Sequence, residues 1–202
     1  MKTRLMTGLR PFGWLLAASL VAARIWAVDW PQYRGPTHDG VSTEAIRTDW
    51  AANPPKLVWK IPLPYALSSV SISGGQVFTQ ARRRLGGEEQ EFCVGLDSQT
   101  GRELWATPLG LADYPHGGVG EDDGPRSTPA VDGDRVFVLT SYLRLACLNA
   151  NTGQEIWSKD LTTEFGGYVI AWQNAASVSG DSLKKLQYVW QYVPALPISG
   201  KA

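Results

Sequence analysis

The sequence predicts an all-β chain built from repeated units of four short antiparallel strands. Three observations carry this prediction. An eleven-residue cadence, Gly95-Leu96-Asp97-Ser98-Gln99-Thr100-Gly101-Arg102-Glu103-Leu104-Trp105, returns 52 residues later as Cys147-Leu148-Asn149-Ala150-Asn151-Thr152-Gly153-Gln154-Glu155-Ile156-Trp157. A strand pair over residues 71–78 returns 59 residues later over residues 130–137. Polar and apolar residues alternate in both copies, as they do in half-buried strands. Self-similarity at roughly 50 residues marks a repeat architecture, and each unit has the size of one four-stranded blade.

The chain opens on Lys2, Arg4 and Arg10, followed by an apolar run from Phe12 to Ala23. That run falls well short of the roughly 20 residues that span a bilayer as a helix. Small residues follow at Ala22, Ala23 and Ala27, so residues 1–27 read as a secretory signal peptide and the mature chain as periplasmic or secreted. No Cys lies near the cleavage region, which argues against a lipid-anchored mature end. Losing Lys2, Arg4, Arg10 and Arg24 leaves 15 basic against 19 acidic side chains, a net charge of −4. A mildly acidic chain without a long basic face excludes nucleic acid as a partner, and no membrane span remains after signal cleavage.

Residues 28–56 read as an N-terminal extended segment and residues 57–177 as the repeat region. Leu57-Val58-Trp59-Lys60-Ile61 reads as a strand that completes another blade. The first unit then carries seven residues more than the second, placed around Arg82 to Glu89. Arg82-Arg83-Arg84 followed by Glu88, Glu89 and Glu91 predicts a solvated loop whose charges compensate one another.

In the cadence, the side chains of Asp97 and Asn149 fold onto N–H groups two residues ahead. Thr100 and Thr152 reinforce the turn, and Gly101 and Gly153 supply the positive φ that closes it. Trp105 and Trp157 are then delivered to the buried face. Cys93 and Cys147 fall on equivalent strands of neighbouring units. Stacked sheets lie about 10 Å apart, whereas a disulfide needs Cα atoms within about 7 Å, so two buried thiols are expected.

The stretch from Tyr114 to Arg126 joins the two units and combines a His, three acids, an Arg and several glycines. Turn composition alone explains it as a surface connection in which Arg126 pairs with an acid. As a ligand loop it would offer His116, Asp122, Asp123 and Arg126 to a small polar ligand. Its adjacent aspartates do not match the spacing of an EF-hand. No nucleophile elbow, phosphate loop, His-Glu-x-x-His or Cys-x-x-Cys is present, so no catalytic residue and no metal site is assigned. After Asn174 a third unit should begin. Residues 178–202 instead form an irregular tail unlike the repeat.

The pattern Ala-x-Asp-x-x-Thr-Gly-x-x-x-Trp, with Gly95 and Cys147 in the place of Ala and Asn149 in the place of Asp, resembles the signature of pyrroloquinoline-quinone (PQQ) type β-propellers. Trp30-Pro31-Gln32-Tyr33-Arg34-Gly35-Pro36 and Gly124-Pro125-Arg126-Ser127-Thr128-Pro129 resemble an opening motif and an inter-blade linker of exported members. The resemblance implies a quinoprotein-like β-propeller forming an incomplete ring of about two to three blades. Propellers close with about 4 to 8, which points to a fragment or a frame interrupted after about Ser177.

By the same resemblance the chain is a non-enzymatic binding or scaffold module that takes a protein or a small polar ligand on its propeller surface. Quinone-dependent dehydrogenases of alcohols or sugars are similar and hold PQQ and calcium. They are expected to show a vicinal Cys pair, a calcium-binding Glu/Asn/Asp set and a catalytic Asp, none of which is identifiable here. A third implied role is as an outer-membrane protein assembly scaffold. The missing lipid-attachment Cys counts against it.

Overall fold

In the computed structural model, residues 28–63, 65–114, 123–170 and 173–179 are described. Residues 1–27, where a signal peptide is expected, His116, Asp122 and the tail from residue 180 lie outside the described residues. Two four-stranded antiparallel sheets follow one another. The first is β1 (Ser71–Ser73), β2 (Gln76–Leu85), β3 (Glu88–Asp97) and β4 (Glu103–Leu111). The second is β5 (Ala130–Asp132), β6 (Arg135–Leu139), β7 (Arg144–Asn149) and β8 (Glu155–Asp160). In both, strand order equals chain order, the up-and-down arrangement of a propeller blade. Among the described residues the two blades do not close a ring.

Each turn between the third and fourth strands is built as the cadence requires. Asp97 Oδ1 accepts from the N–H groups of Gln99 (3.0 Å) and Thr100 (2.8 Å) and from Thr100 Oγ1 (2.7 Å). Asn149 Oδ1 accepts the same three bonds from Asn151 and Thr152. Gly101 and Gly153 both sit at φ 70°, a left-handed conformation in which a side chain would strain the backbone. The Thr100 hydroxyl and the turn N–H groups hold the Asp97 carboxyl below its ordinary value.

The seven extra residues of the first unit are not a loop. They lengthen a hairpin whose register runs Arg82↔Glu91, Arg83↔Gln90, Arg84↔Glu89 and Leu85↔Glu88. Gly86 (φ 61°) and Gly87 (φ 93°) form its two-residue turn, the mirror-image geometry that matches strand twist and needs positive φ at both positions. Charge compensation survives as cross-strand pairing: Arg84 lies 3.3 Å and Arg82 3.7 Å from Glu89, and Arg83 lies 2.7 Å from Glu103. Glu91 departs from the expectation altogether, because it is buried.

Side chains of one strand alternate between two faces, and this divides the core. Val77, Ala81, Phe92, Val94 and Leu96 form one face of blade 1, with Trp59, Ile61 and Leu63 packed against it. Phe78, Cys93, Trp105 and Leu109 form the other face and meet Val136, Val138, Ala146 and Leu148 of blade 2. Residues 57–63 form no strand, and Trp59, Ile61 and Leu63 pack on the first face from outside any sheet.

Trp30 forms an antiparallel bridge with Ile72, and Pro31 O accepts from Val131 N at 2.7 Å. The opening motif thus ties the first strands of both blades together. Cys93 and Cys147 are unpaired and buried. After β8 the chain turns into a short helix, α1 (Leu161–Phe165), capped by Asp160 and ended by Gly166 in the left-handed region. The alternation of the sequence did not signal this helix.

Candidate functional site

The repeated Trp is the joint between blades. The Trp105 indole Nε1 donates to Ala150 O at 2.8 Å, and a Cβ at Gly153 would fall 2.6 Å from its ring. Thr107 Oγ1 donates to Gly153 O at 2.6 Å. The same seat exists one blade earlier, where Trp59 Nε1 donates to Ser98 O at 2.9 Å and a Cβ at Gly101 would fall 2.7 Å from the Trp59 ring. Each glycine therefore serves two ends: it closes its own turn with positive φ and gives an indole room to lie flat on the backbone. Phe78 packs beside Trp105 with centroids 5.9 Å apart, and Phe137 beside Trp157 at 6.1 Å.

Beyond this apolar joint the interface becomes polar. On β2, Gln80 and Arg82 continue the face of Phe78, and on β3, Glu91 continues the face of Cys93. Gln80 Nε2 donates across the interface to Ser127 O at 2.6 Å. Glu91 is fully buried. Its carboxylate accepts from Tyr114 Oη at 2.6 Å and from the Ser141 N–H at 3.0 Å. Burial pushes the Glu91 carboxyl above its ordinary value, against the opposing pull of Ser141, Tyr114 and Arg126. Burial likewise raises the Tyr114 phenol, with the Glu91 charge acting in the same direction. Arg82 lies with its guanidinium 4.4 Å from the Tyr65 ring centroid and 5.9 Å from that of Tyr114.

Of the four predicted ligand-loop residues, the structure brings two together. Arg126 Nη2 donates to both carboxylate oxygens of Asp123, at 2.7 and 2.8 Å. Asp123 is buried, as are Gly124, Pro125, Ser127 and Thr128. The connection is thus interior at this end rather than a surface loop. Gly124 is required there because any Cβ would collide with the Tyr65 carbonyl. Asp123 also borders an open cleft with Arg82, Arg84, Glu89 and Tyr114.

The sequence reading missed Glu91, Tyr114 and Ser141. The available signal was period two, since Glu91 stands in phase with Cys93 and Gly95 on a buried face. Among the described residues no group of three His, Cys, Asp or Glu side chains converges.

Comparison with known proteins falls on the same segment. Residues 90–183 match the family described as "Outer membrane protein assembly factor BamB". A protein of that name from Burkholderia pseudomallei (strain K96243) is 27% identical over 137 residues, covering 66% of this chain and 32% of its own length. The chain therefore spans about a third of that relative. Among solved structures, a europium-containing methanol dehydrogenase is similar at 20% identity and TM-score 0.38, over 55% of this chain and 20% of that one. BamB from Moraxella catarrhalis is similar at 22% identity and TM-score 0.32, over 46% and 23%. The family match begins in β3 of blade 1 and runs through all of blade 2, taking in both copies of the cadence, and over this segment the chain resembles the PQQ-like β-propeller repeat proteins.

Proposed function

We propose that the chain is an exported, non-enzymatic binding or scaffold module of the cell envelope that engages a protein partner through its blades. The observation that carries this reading is the sequence similarity to outer membrane protein assembly factor BamB, at 27% identity over 137 residues. The site chemistry agrees with it. Asp123 and Arg126 are bound to each other, and Glu91 is held by Tyr114 and Ser141, so these groups support the blade junction. In this reading residues 1–27 direct export, 28–56 form the extended N-terminal segment, 57–177 the repeats, and 178–202 a tail outside them. A small polar ligand, if bound, would be met by the loop residues His116, Asp122, Asp123 and Arg126, Asp123 bordering the open cleft.

Fold does not assign a reaction, so the test is direct. The full chain, mixed with PQQ and Ca²⁺ and offered alcohols and aldoses, should reduce no dye above the buffer rate. Turnover that disappears on chelation would overturn the non-enzymatic reading. Fractionation of cells expressing the chain should place it in the envelope, and recovery in the cytosol would contradict export.

A further inference from the structure

We propose that the slot between the β1–β2 turn of blade 1 and the β5–β6 turn of blade 2 binds a primary ammonium group on a short hydrocarbon stem. A free alkylamine and a lysine side chain share this chemistry. The inference does not depend on the scaffold reading.

The slot lies at the end of β2 that carries Gln76, away from the end where Arg82 pairs with Glu91. It holds about 180 Å³, against about 30 Å³ for one water in the liquid, so a single ordered water does not fill it. Phe78 and Val131, 1% and 8% exposed, give it an apolar side. Gln76 of blade 1 and Asn151 of blade 2 span it, Gln76 Nε2 donating to Asn151 Oδ1 at 3.3 Å. Ser73 and Asp134 complete the polar side. The walls are fixed by paired strands, with Ser73 opposite Gln76 and Asp132 opposite Arg135 at the bases of the two turns.

Three features select the ligand. The Gln76 amide spends its nitrogen on Asn151, and its Oε1 is buried without a hydrogen-bond partner. Buried polar atoms are nearly always paired, so this oxygen calls for a donor that the chain does not supply. The second feature is charge. Asp134 keeps 73% of its side chain exposed, and Arg135 Nε stands 3.9 Å from its carboxylate, the outer limit of an ion pair. A second carboxylate, that of Asp29, lies behind the rim and accepts from Ser73 Oγ at 2.8 Å and from the Gly74 N–H at 3.3 Å. Among the described residues no Lys, Arg or His lines the slot, so it attracts a cation and repels an anion. The third is the apolar side, which a bare ion leaves uncovered and a hydrocarbon stem covers. An ammonium brings three donors for the amide oxygen and the carboxylate. Calcium takes 6 to 8 oxygen ligands, more than this wall offers.

Blade stacking does not dictate this polar set. Phe78, which packs at the blade interface, recurs one unit on as Phe137, whereas Gln76, Asp134 and Asn151 stand where the other copy has Arg135, Gly75 and Gln99. A residue that every junction needs recurs, and these three do not.

The test is titration of the isotope-labelled full chain with butylammonium at fixed ionic strength, read at the amide resonances of Gly74, Gly133 and Asn151. All three should shift saturably with a millimolar dissociation constant, the scale for so small a ligand. Butanol, which keeps the stem, and butyrate, which reverses the charge, should bind about tenfold more weakly or not at all. Asp134→Asn should weaken butylammonium by about threefold. Gln76→Met, which keeps the length and removes the oxygen, should weaken it by about fivefold. Asp132→Asn removes an exposed charge outside the slot and should change nothing. A capped lysine tripeptide separates the two sources: binding at least as tight as that of butylammonium assigns the slot to a partner's lysine, and weaker binding assigns it to free amines. Absence of a saturable shift at the three amides, equal binding of butanol, or equal losses in Asp132→Asn and Asp134→Asn would overturn the proposal.

Discussion

The buried carboxyl of Glu91 is the residue on which pH should act most visibly. Its folded-state value is raised by burial, so protonation favours the fold. Stability from this group is present in full below the unfolded value of about 4.3. It is lost as pH rises toward the folded value, because the unfolded chain ionises first. Glu91→Gln should therefore gain on the wild type in thermal denaturation as pH rises above the unfolded value, with a smaller pH slope. A gap between the two proteins that does not move with pH would show that the carboxyl is ionised in the fold. Asp123 makes the complementary case. Removing it leaves Arg126 without the carboxylate that it contacts twice, and breaking such a pair costs about 3 kcal/mol. Asp123→Ala should lower denaturant stability by that order whether or not a ligand is present, and an unchanged midpoint would return Asp123 to the list of free ligand groups. Asp97 and Asn149 were legible in the sequence because their role is local, set within three residues of chain. Glu91 was not, because its partner Ser141 lies in the β6–β7 turn 50 residues away, and it was grouped with exposed neighbours of the same charge.

At the scale of the element, the hairpin β2–β3 and the Trp seat teach opposite lessons. Seven extra residues between two strands look like a loop when counted as an insertion. Gly86-Gly87 in a two-residue turn, with Arg and Glu in register across it, converts them into longer strands. The turn dipeptide was readable, and the charge run drew attention from it. The seat of Trp105 was legible only in half: the indole was expected on the buried face, but nothing local says that Gly153 must also be bare beneath it. Trp105→Ala should cost about 3 to 5 kcal/mol in equilibrium unfolding, the range for removing a large buried aromatic. Gly153→Ala should also destabilise, since it adds a Cβ at φ 70° and 2.6 Å from the indole. Because the two changes act on one contact, their effects should not add. Strict additivity would place Trp105 somewhere other than on Gly153.

Across the whole molecule, the repeat was the most legible feature, because two spaced copies of one cadence constrain each other. The order β1–β4 and β5–β8 follows from it directly. What the sequence did not disclose is how the blades are joined at their polar end, where Gln80 reaches Ser127 O and Glu91 reaches the Ser141 N–H across 47 and 50 residues of chain. Helix α1 also escaped notice, since five residues carry no periodic signal and depend on the Asp160 cap and Gly166. The account as a whole stands on the two sheets being consecutive blades in register. Gln76 and Asn151 touch across that junction at 3.3 Å, while the native thiols are buried. The most direct measurement is therefore treatment of a Gln76→Cys/Asn151→Cys variant with a short bis-maleimide, followed by mass spectrometry of its peptides. Stacked blades predict a dominant linkage between positions 76 and 151 within one chain; failure of that linkage to form in folded protein would contradict the blade arrangement on which the rest is built.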